Sequence, residues 1–279
     1  MPGIACVSGR FGPLADAVVS IEDRGFQFGD GVYEVIRTYR GQPFAIEEHL
    51  VRLERSAQAL QLAIGQTRAQ WSSLIREGLR LSQFPEAKIY LQITRGQAPR
   101  DHPFPVSSAP TTVLTFRELH PLDVSVRNAG VQAMSVEDIR WGRCDIKSVN
   151  LLANVLARQR AKEAGVFEAI LVREGTVTEG SVSNVMVVRN GAVQTAPEGR
   201  RILSGVTRAI VLDLARKEGI PVAESFVTRE ELLAASEVFL TGTTVEVLPV
   251  VRVDGRAIGG GSPGPVSQLL SRRFEALIG

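Results

Sequence analysis

The chain has 279 residues, 44% of them hydrophobic, enough to bury the core of one large domain or two modest ones without disulfide or metal support. Its 28 arginines and four lysines are scattered among 30 acids for a formal charge of +2, so no basic stripe is present to neutralise phosphates and nucleic acid is not an expected partner. No apolar run approaches the ~20 residues needed to cross a bilayer, residues 1–4 show no basic region followed by an apolar one, and two distant cysteines, Cys6 and Cys144, make no disulfide framework. A cytoplasmic protein with two free thiols is expected. His49, His102 and His120 show no metal-ligand spacing, and no metal is expected.

Residues 23–31, DRGFQFGDG, pack three glycines and two acids ahead of a strand, as a constrained loop with positive φ or close backbone approach would. Residues 32–39 alternate, with Val32, Glu34, Ile36 and Thr38 on one face and Tyr33, Val35, Arg37 and Tyr39 on the other; Gly41 and Gln42 turn them back into residues 43–46 as a hairpin. Leu50, Leu53, Ala57 and Leu60 recur at helical spacing over 47–63, and Trp71, Leu74, Ile75 and Leu79 over 67–81. Strands at 88–94 and 111–117 flank a Pro-rich stretch. Around 118–123 the periodicity lapses at Pro121, which places a small N-terminal domain at 1–118, a linker at 119–123 and a larger domain at 124–279.

In the larger domain a helix is expected over 148–164 with Leu151, Leu152, Val155 and Leu156 on one side, then strands at 167–172 and 183–189, the latter closing at Asn190-Gly191. Residues 204–218 read as a helix ended by Gly219 and Pro221, Thr228 with Glu231 as a capping box, and Asp254-Gly255 as the turn of a last hairpin before a C-terminal helix. Strands arrive in hairpins rather than in repeated βαβ units, which makes the class α+β.

Lysine is scarce enough for each to be weighed. Lys162 and Lys217 lie near helix C-termini, where a cation complements the dipole, and Lys88 opens a strand as a surface or edge residue. Lys147 stands among Ile146, Val149 and Leu151; it is either a lysine whose apolar setting favours the neutral, nucleophilic amine or one that snorkels from a helix start. Arg100 and His102, two apart in a Pro-bounded loop, are able to clamp a carboxylate, or they belong to a solvated loop. Glu179, ahead of a strand, is either a surface turn acid or the buried partner of a cofactor nitrogen. Ser204-Gly205-Val206-Thr207 and Gly242-Thr243-Thr244 offer backbone N–H groups and hydroxyls suited to phosphate, as ordinary N-caps also do.

Together the segments DRGFQFGDGVYEV (23–35), EHLVRL (48–53), TRGQAPRDH (94–102), EDIRWGRCDIKSVNLL (137–152), TVTEGSVSN (176–184), SGVTR and TGTTVE resemble the fold type IV pyridoxal-phosphate enzymes, most closely the bacterial D-amino-acid aminotransferases. The resemblance covers nearly the whole chain. It implies a two-domain architecture, a smaller N-terminal α/β domain and a larger domain with a barrel-like β core flanked by helices. It implies pyridoxal 5'-phosphate as cofactor, Lys147 as the Schiff-base lysine and proton carrier, and Glu179 as the partner of the pyridine nitrogen. Arg52, the backbone at Val206 and Thr207 and the Thr244 hydroxyl are implied as the phosphate cup, with Leu203 against the ring.

The same resemblance implies ping-pong transamination of D-amino acids such as D-alanine with 2-oxo acids such as 2-oxoglutarate or pyruvate. Tyr33, Arg100 and His102 would hold the substrate α-carboxylate, the Arg100/His102 loop coming from the neighbouring subunit of a homodimer. Arg37 stands where those enzymes have lysine and Val182 where they have serine, differences that bear on side-chain preference. The alternatives are an aminodeoxychorismate lyase, a branched-chain L-amino-acid or R-amine transaminase of the same fold, and a non-catalytic binding protein. The resemblance gives Arg24 no fixed role.

Overall fold

The computed structural model describes residues 3–279, which divide into two units. The first runs to His120 and takes back Ile146–Asn150 from later in the chain; the second comprises Pro121–Asp145 and Leu151–Gly279. No helix among the described residues is long and apolar enough to cross a membrane.

The first unit contains β1 (Ile4–Val7), β2 (Arg10–Pro13), α1 (Arg24–Phe28), β3 (Gly31–Tyr39), β4 (Gln42–Pro43), α2 (Ile46–Ala59), α3 (Arg68–Ser82), β5 (Ala87–Thr94) and β6 (Thr111–Glu118). Its strands form one antiparallel sheet in the order β2-β1-β6-β5-β3-β4. Alternation decides the buried face: Val32, Glu34, Ile36 and Thr38 of β3 are all closed to solvent, and Ile89, Leu91 and Ile93 of β5 join Leu114 and Phe116 of β6 in the core. Helices α2 and α3 cover that face with Leu50, Leu53 and Ala57 and with Trp71, Ile75 and Leu79, each set one helical turn apart. A capping box of Thr67 and Gln70 starts α3.

Residues 23–31 are not loop throughout. Asp23 caps α1 by accepting from Gly25 N, and Gly29, at φ 67°, ends it in the left-handed conformation with Asn150 where a Cβ would stand. A five-residue helix has too few turns to show periodicity, which is why the sequence reads as a turn.

The second unit contains α4 (Val124–Ala129), β7 (Val131–Glu137), α5 (Leu152–Glu163), β8 (Glu168–Arg173), β9 (Thr176–Gly180), β10 (Asn184–Arg189), β11 (Ala192–Thr195), α6 (Val206–Lys217), β12 (Val222–Glu224), β13 (Val227–Thr228), α7 (Arg229–Leu233), β14 (Glu237–Gly242), β15 (Glu246–Val253), β16 (Arg256–Ala257) and α8 (Pro265–Ile278). Its ten strands form a curled, mixed sheet in the order β12-β11-β10-β14-β15-β7-β8-β9-β13, with β16 on β15. The expected turns at Asn190-Gly191 and Asp254-Gly255 both take positive φ at both residues, the signature of a tight two-residue hairpin, and Thr228 with Glu231 forms the capping box of α7. Beside the hairpins stand two parallel crossovers, β7 to β8 through α5 and β11 to β12 through α6. Strands β11 and β12, with four and three residues, are too short for their alternation to announce them.

The helix expected from residue 148 begins only at Leu152, because Ser148 bridges Val32 and the preceding segment runs beside β3 instead. The side on which its larger apolar residues recur faces outward. Leu152, Val155 and Leu156 are 73%, 57% and 48% exposed, whereas Ala157 and Ala161 pack on Ala169 and Leu171 of β8. Alanines let the helix axis approach the sheet, and the larger side chains are left facing outward.

Candidate active site

Strand β3 and helix α2 build one cluster in the first unit. Glu34 faces the apolar core, where a carboxylate needs partners, and α2 supplies them one turn apart: Arg52 donates from Nε to Oε1 at 2.7 Å and from Nη2 to Oε2 at 2.8 Å, while His49 Nδ1 lies 2.8 Å from Oε2. Burial alone would raise the Glu34 carboxyl; the Arg52 charge and fork and the His49 bond outweigh it and hold the group far below the carboxylate range. Burial pushes His49 down, so Nδ1–H donates to Glu34 from a neutral ring, and the charges of Arg52 and Lys147 act in the same direction.

Lys147 is fixed beside this cluster by its backbone. Its N–H donates to Ser56 Oγ at 3.2 Å, its carbonyl accepts from Tyr33 N at 3.0 Å, and Val149 N donates to Gly31 O at 3.1 Å. The half-buried side chain places Nζ 4.4 Å from the centroid of the Tyr33 ring, which stacks on Tyr90 at 5.5 Å. Burial, then the neighbouring Tyr33, pushes the Tyr90 hydroxyl up to about 12, so it stays protonated and donates to Gln92 Oε1 at 2.6 Å.

Arg100 and His102 are brought together on α1. The guanidinium of Arg100 and the ring of His102 lie 4.6 and 5.4 Å from the centroid of Phe28, and Arg100 donates to Gln27 O at 3.4 Å. Within the first unit the structure therefore gathers Tyr33, Arg52 and Lys147 around β3 and, separately, Arg100 and His102 around Phe28.

In the second unit Glu179 is buried on β9. Arg140 Nη1 donates to it, Asn184 Nδ2 donates to Oε2 at 3.0 Å, and Leu203 N lies 3.1 Å from both oxygens. Arg140 is itself anchored by Asp138, to which Nε and Nη2 each donate at 2.9 Å. Burial opposes ionisation of Asp138, yet Arg140 and Thr178 Oγ hold its carboxyl at about 2. Helix α6 starts at Val206 with Gly205 as N-cap, no side chain capping it and no acid in its first turn, so its first amides form an electropositive end. Thr244 lies half-buried in the turn between β14 and β15, and the buried Thr241 Oγ has no hydrogen-bond partner among the described residues.

Several of these groups were not singled out from the sequence. Glu34 carried a readable signal, a carboxylate on the apolar face of an alternating strand. Arg140 and Asn184 lie inside the quoted segments, yet only the fold brings them onto Glu179.

A family model described as amino-transferase class IV matches residues 31–253. The chain belongs to the class IV aminotransferases. It is 45% identical over 272 residues to a D-alanine aminotransferase of Bacillus licheniformis, covering 97% of this chain and 95% of that protein. It is 42% identical over 272 residues to a D-alanine aminotransferase of Staphylococcus haemolyticus, covering 98% and 96%. In structure this class IV aminotransferase is similar to the branched-chain amino acid aminotransferase of Escherichia coli, with TM-score 0.92 at 27% identity over 100% of this chain and 95% of that one. The branched-chain amino acid aminotransferase of T.th., solved with pyridoxamine 5'-phosphate, gives TM-score 0.90 at 30% identity over 100% and 94%. The architecture is fold type IV.

The donor set of this aminotransferase suits pyridoxal 5'-phosphate. A carboxylate fixed by a cation, an amide and a side-chain N–H suits a protonated ring nitrogen, and an uncapped helix start that carries Thr207 in its first turn suits a phosphate. The orphaned Thr241 hydroxyl belongs to the strand that leads into the Thr244 turn.

Proposed function

We propose that this class IV aminotransferase transfers the amino group of D-amino acids, such as D-alanine, to 2-oxo acids, such as 2-oxoglutarate or pyruvate, in a ping-pong cycle with pyridoxal 5'-phosphate as cofactor. The observation that carries the reading is the pair Arg100 and His102, held together against Phe28 in a chain 45% identical to a D-alanine aminotransferase. A guanidinium and an imidazole two residues apart offer a carboxylate a charge-assisted fork and a further donor.

In this reading Lys147 is the covalent anchor of the cofactor and, once displaced by substrate, the base that takes the α-proton and returns it. When bound, the cofactor supplies an electron-accepting ring that stabilises negative charge at the substrate α-carbon. Glu179 keeps the ring nitrogen protonated, a task for which Arg140, Asn184 and Leu203 N hold it oriented. Arg52, the Val206 and Thr207 amides and the Thr244 hydroxyl hold the phosphate, and Leu203 packs against the ring. Tyr33, Arg100 and His102 hold the α-carboxylate. Substrate hand follows from that hold, since the α-proton must point at Lys147 whichever side the carboxylate occupies.

The active form is a homodimer in which the Arg100/His102 loop completes the neighbouring copy's site. The outward apolar side of α5, with Leu152, Val155 and Leu156, supports an interface between copies. Likeness in structure to branched-chain aminotransferases favours a second reading, branched-chain L-amino acids as donors. Incubation of the holoenzyme with D-alanine and 2-oxoglutarate tests the function: pyruvate and glutamate are expected in equal amounts. Absence of that exchange together with cleavage of aminodeoxychorismate would overturn it.

A further inference from the structure

An arginine that is 3% exposed must place its donors inside the protein, and Arg24 places them on the loop that carries Arg100 and His102. Its Nη1 donates to Asp101 O at 2.6 Å and its Nη2 to His102 O at 3.1 Å. These two carbonyls belong to the peptide planes on either side of the His102 α-carbon, so one rigid guanidinium fixes both planes and with them the direction in which the imidazole leaves the backbone. The same guanidinium lies 4.8 Å from the centroid of Phe28, the ring that Arg100 and His102 also face.

The third nitrogen, Nε, donates to Asp30 Oδ2 at 2.8 Å. Asp30 is shared with Arg95, which donates to it from Nε at 2.8 Å and Nη2 at 3.1 Å, continues to Leu60 O and Gln61 O at the end of α2, and lies 3.7 Å from the centroid of the Phe104 ring. Arg24 N also donates to Gly96 O at 2.9 Å, tying α1 to the base of the loop. Two arginines and one aspartate thus connect α2, α1 and the loop, and Asp30 offsets the repulsion Arg24 would exert on Arg100 across the shared ring.

We propose that Arg24 is the positioning residue of the substrate-carboxylate loop, setting the relation of His102 to Arg100 through its fork on the 101 and 102 carbonyls. The inference rests on the reading of Arg100 and His102 as the carboxylate trap. A lysine in its place keeps the charge against Asp30 but cannot span both carbonyls.

Arg24→Lys and Arg24→Met are compared as holoenzymes with wild type, Arg100→Ala and Arg24→Lys/Arg100→Ala, reading kcat and KM for D-alanine. For Arg24→Lys we expect KM to rise about tenfold while kcat falls less than about threefold, because a misplaced binding loop weakens capture more than chemistry. In the double variant the Arg24→Lys effect should shrink to within about twofold, since Arg24 acts through the loop that Arg100 occupies. Should Arg24→Met fail to fold, Arg24→Lys, which retains the Asp30 ion pair, carries the test. A KM for Arg24→Lys within about twofold of wild type, beside a raised KM for Arg100→Ala, overturns the inference and leaves the trap standing. Effects that simply multiply in the double variant also overturn it. An unchanged KM for Arg100→Ala removes the trap itself, and the inference with it.

Discussion

The guanidinium of Arg52 forks onto the carboxylate of Glu34 at 2.7 and 2.8 Å in a part of the core that gives Glu34 no solvent at all. Removing one member of a buried pair leaves the other charge uncompensated, and Glu34→Gln is expected to destabilise the first unit by about 3–5 kcal/mol, read by urea unfolding. The carboxyl is depressed in the folded state, so its contribution is complete above its ordinary value of 4.5 and is lost as pH falls through that value toward the folded one. The acid side of a melting-temperature series should therefore be flatter for Glu34→Gln than for wild type; parallel curves would contradict the assignment.

Lys147 is held through backbone groups, its N–H on Ser56 and its carbonyl on Tyr33 N, and both survive truncation of the side chain. Lys147→Ala should keep its far-ultraviolet circular dichroism and lose both turnover and the visible absorbance of cofactor bound through the lysine. A coloured, active Lys147→Ala enzyme would remove Lys147 from the mechanism.

The Arg100 guanidinium donates to Gln27 O at a long 3.4 Å, so replacing it should cost little stability. A charge-assisted bond contributes about 1.5–3 kcal/mol, and Arg100→Ala is expected to raise KM for D-alanine about 10- to 100-fold. Cofactor absorbance should be unchanged. Unaltered KM would deny Arg100 its place in the carboxylate trap.

Much of the first unit could be read from the chain because its elements bury one face with regular spacing. The β3 alternation and the turns of α2 and α3 each needed only neighbouring residues to be seen. The packing side of α5 is not legible in the chain, because its largest apolar residues, Leu152, Val155 and Leu156, point outward and its packing is done by Ala157 and Ala161. The return of Ile146–Asn150 to the first unit depends on pairing with β3, a contact between residues more than a hundred positions apart that local pattern does not encode. Arg24 was visible in a glycine-rich run only as a charge; its role comes from the Asp101 and His102 carbonyls, which no side-chain pattern reveals.

A charge on the outward side of α5 tests the proposed dimer. Val155→Glu places a carboxylate among Leu152 and Leu156 and should shift the protein toward monomer in light scattering, with specific activity falling on dilution. A dimer of unchanged affinity would exclude this side as the interface.

The hand of the substrate decides the account most directly. Steady-state kcat/KM for D-alanine and for L-alanine, each with 2-oxoglutarate and the same holoenzyme, should favour the D-enantiomer by at least about 100-fold, because only one enantiomer can satisfy the carboxylate trap and present its α-proton to Lys147. A ratio at or below unity, or a preference for branched L-amino acids over both, would contradict it.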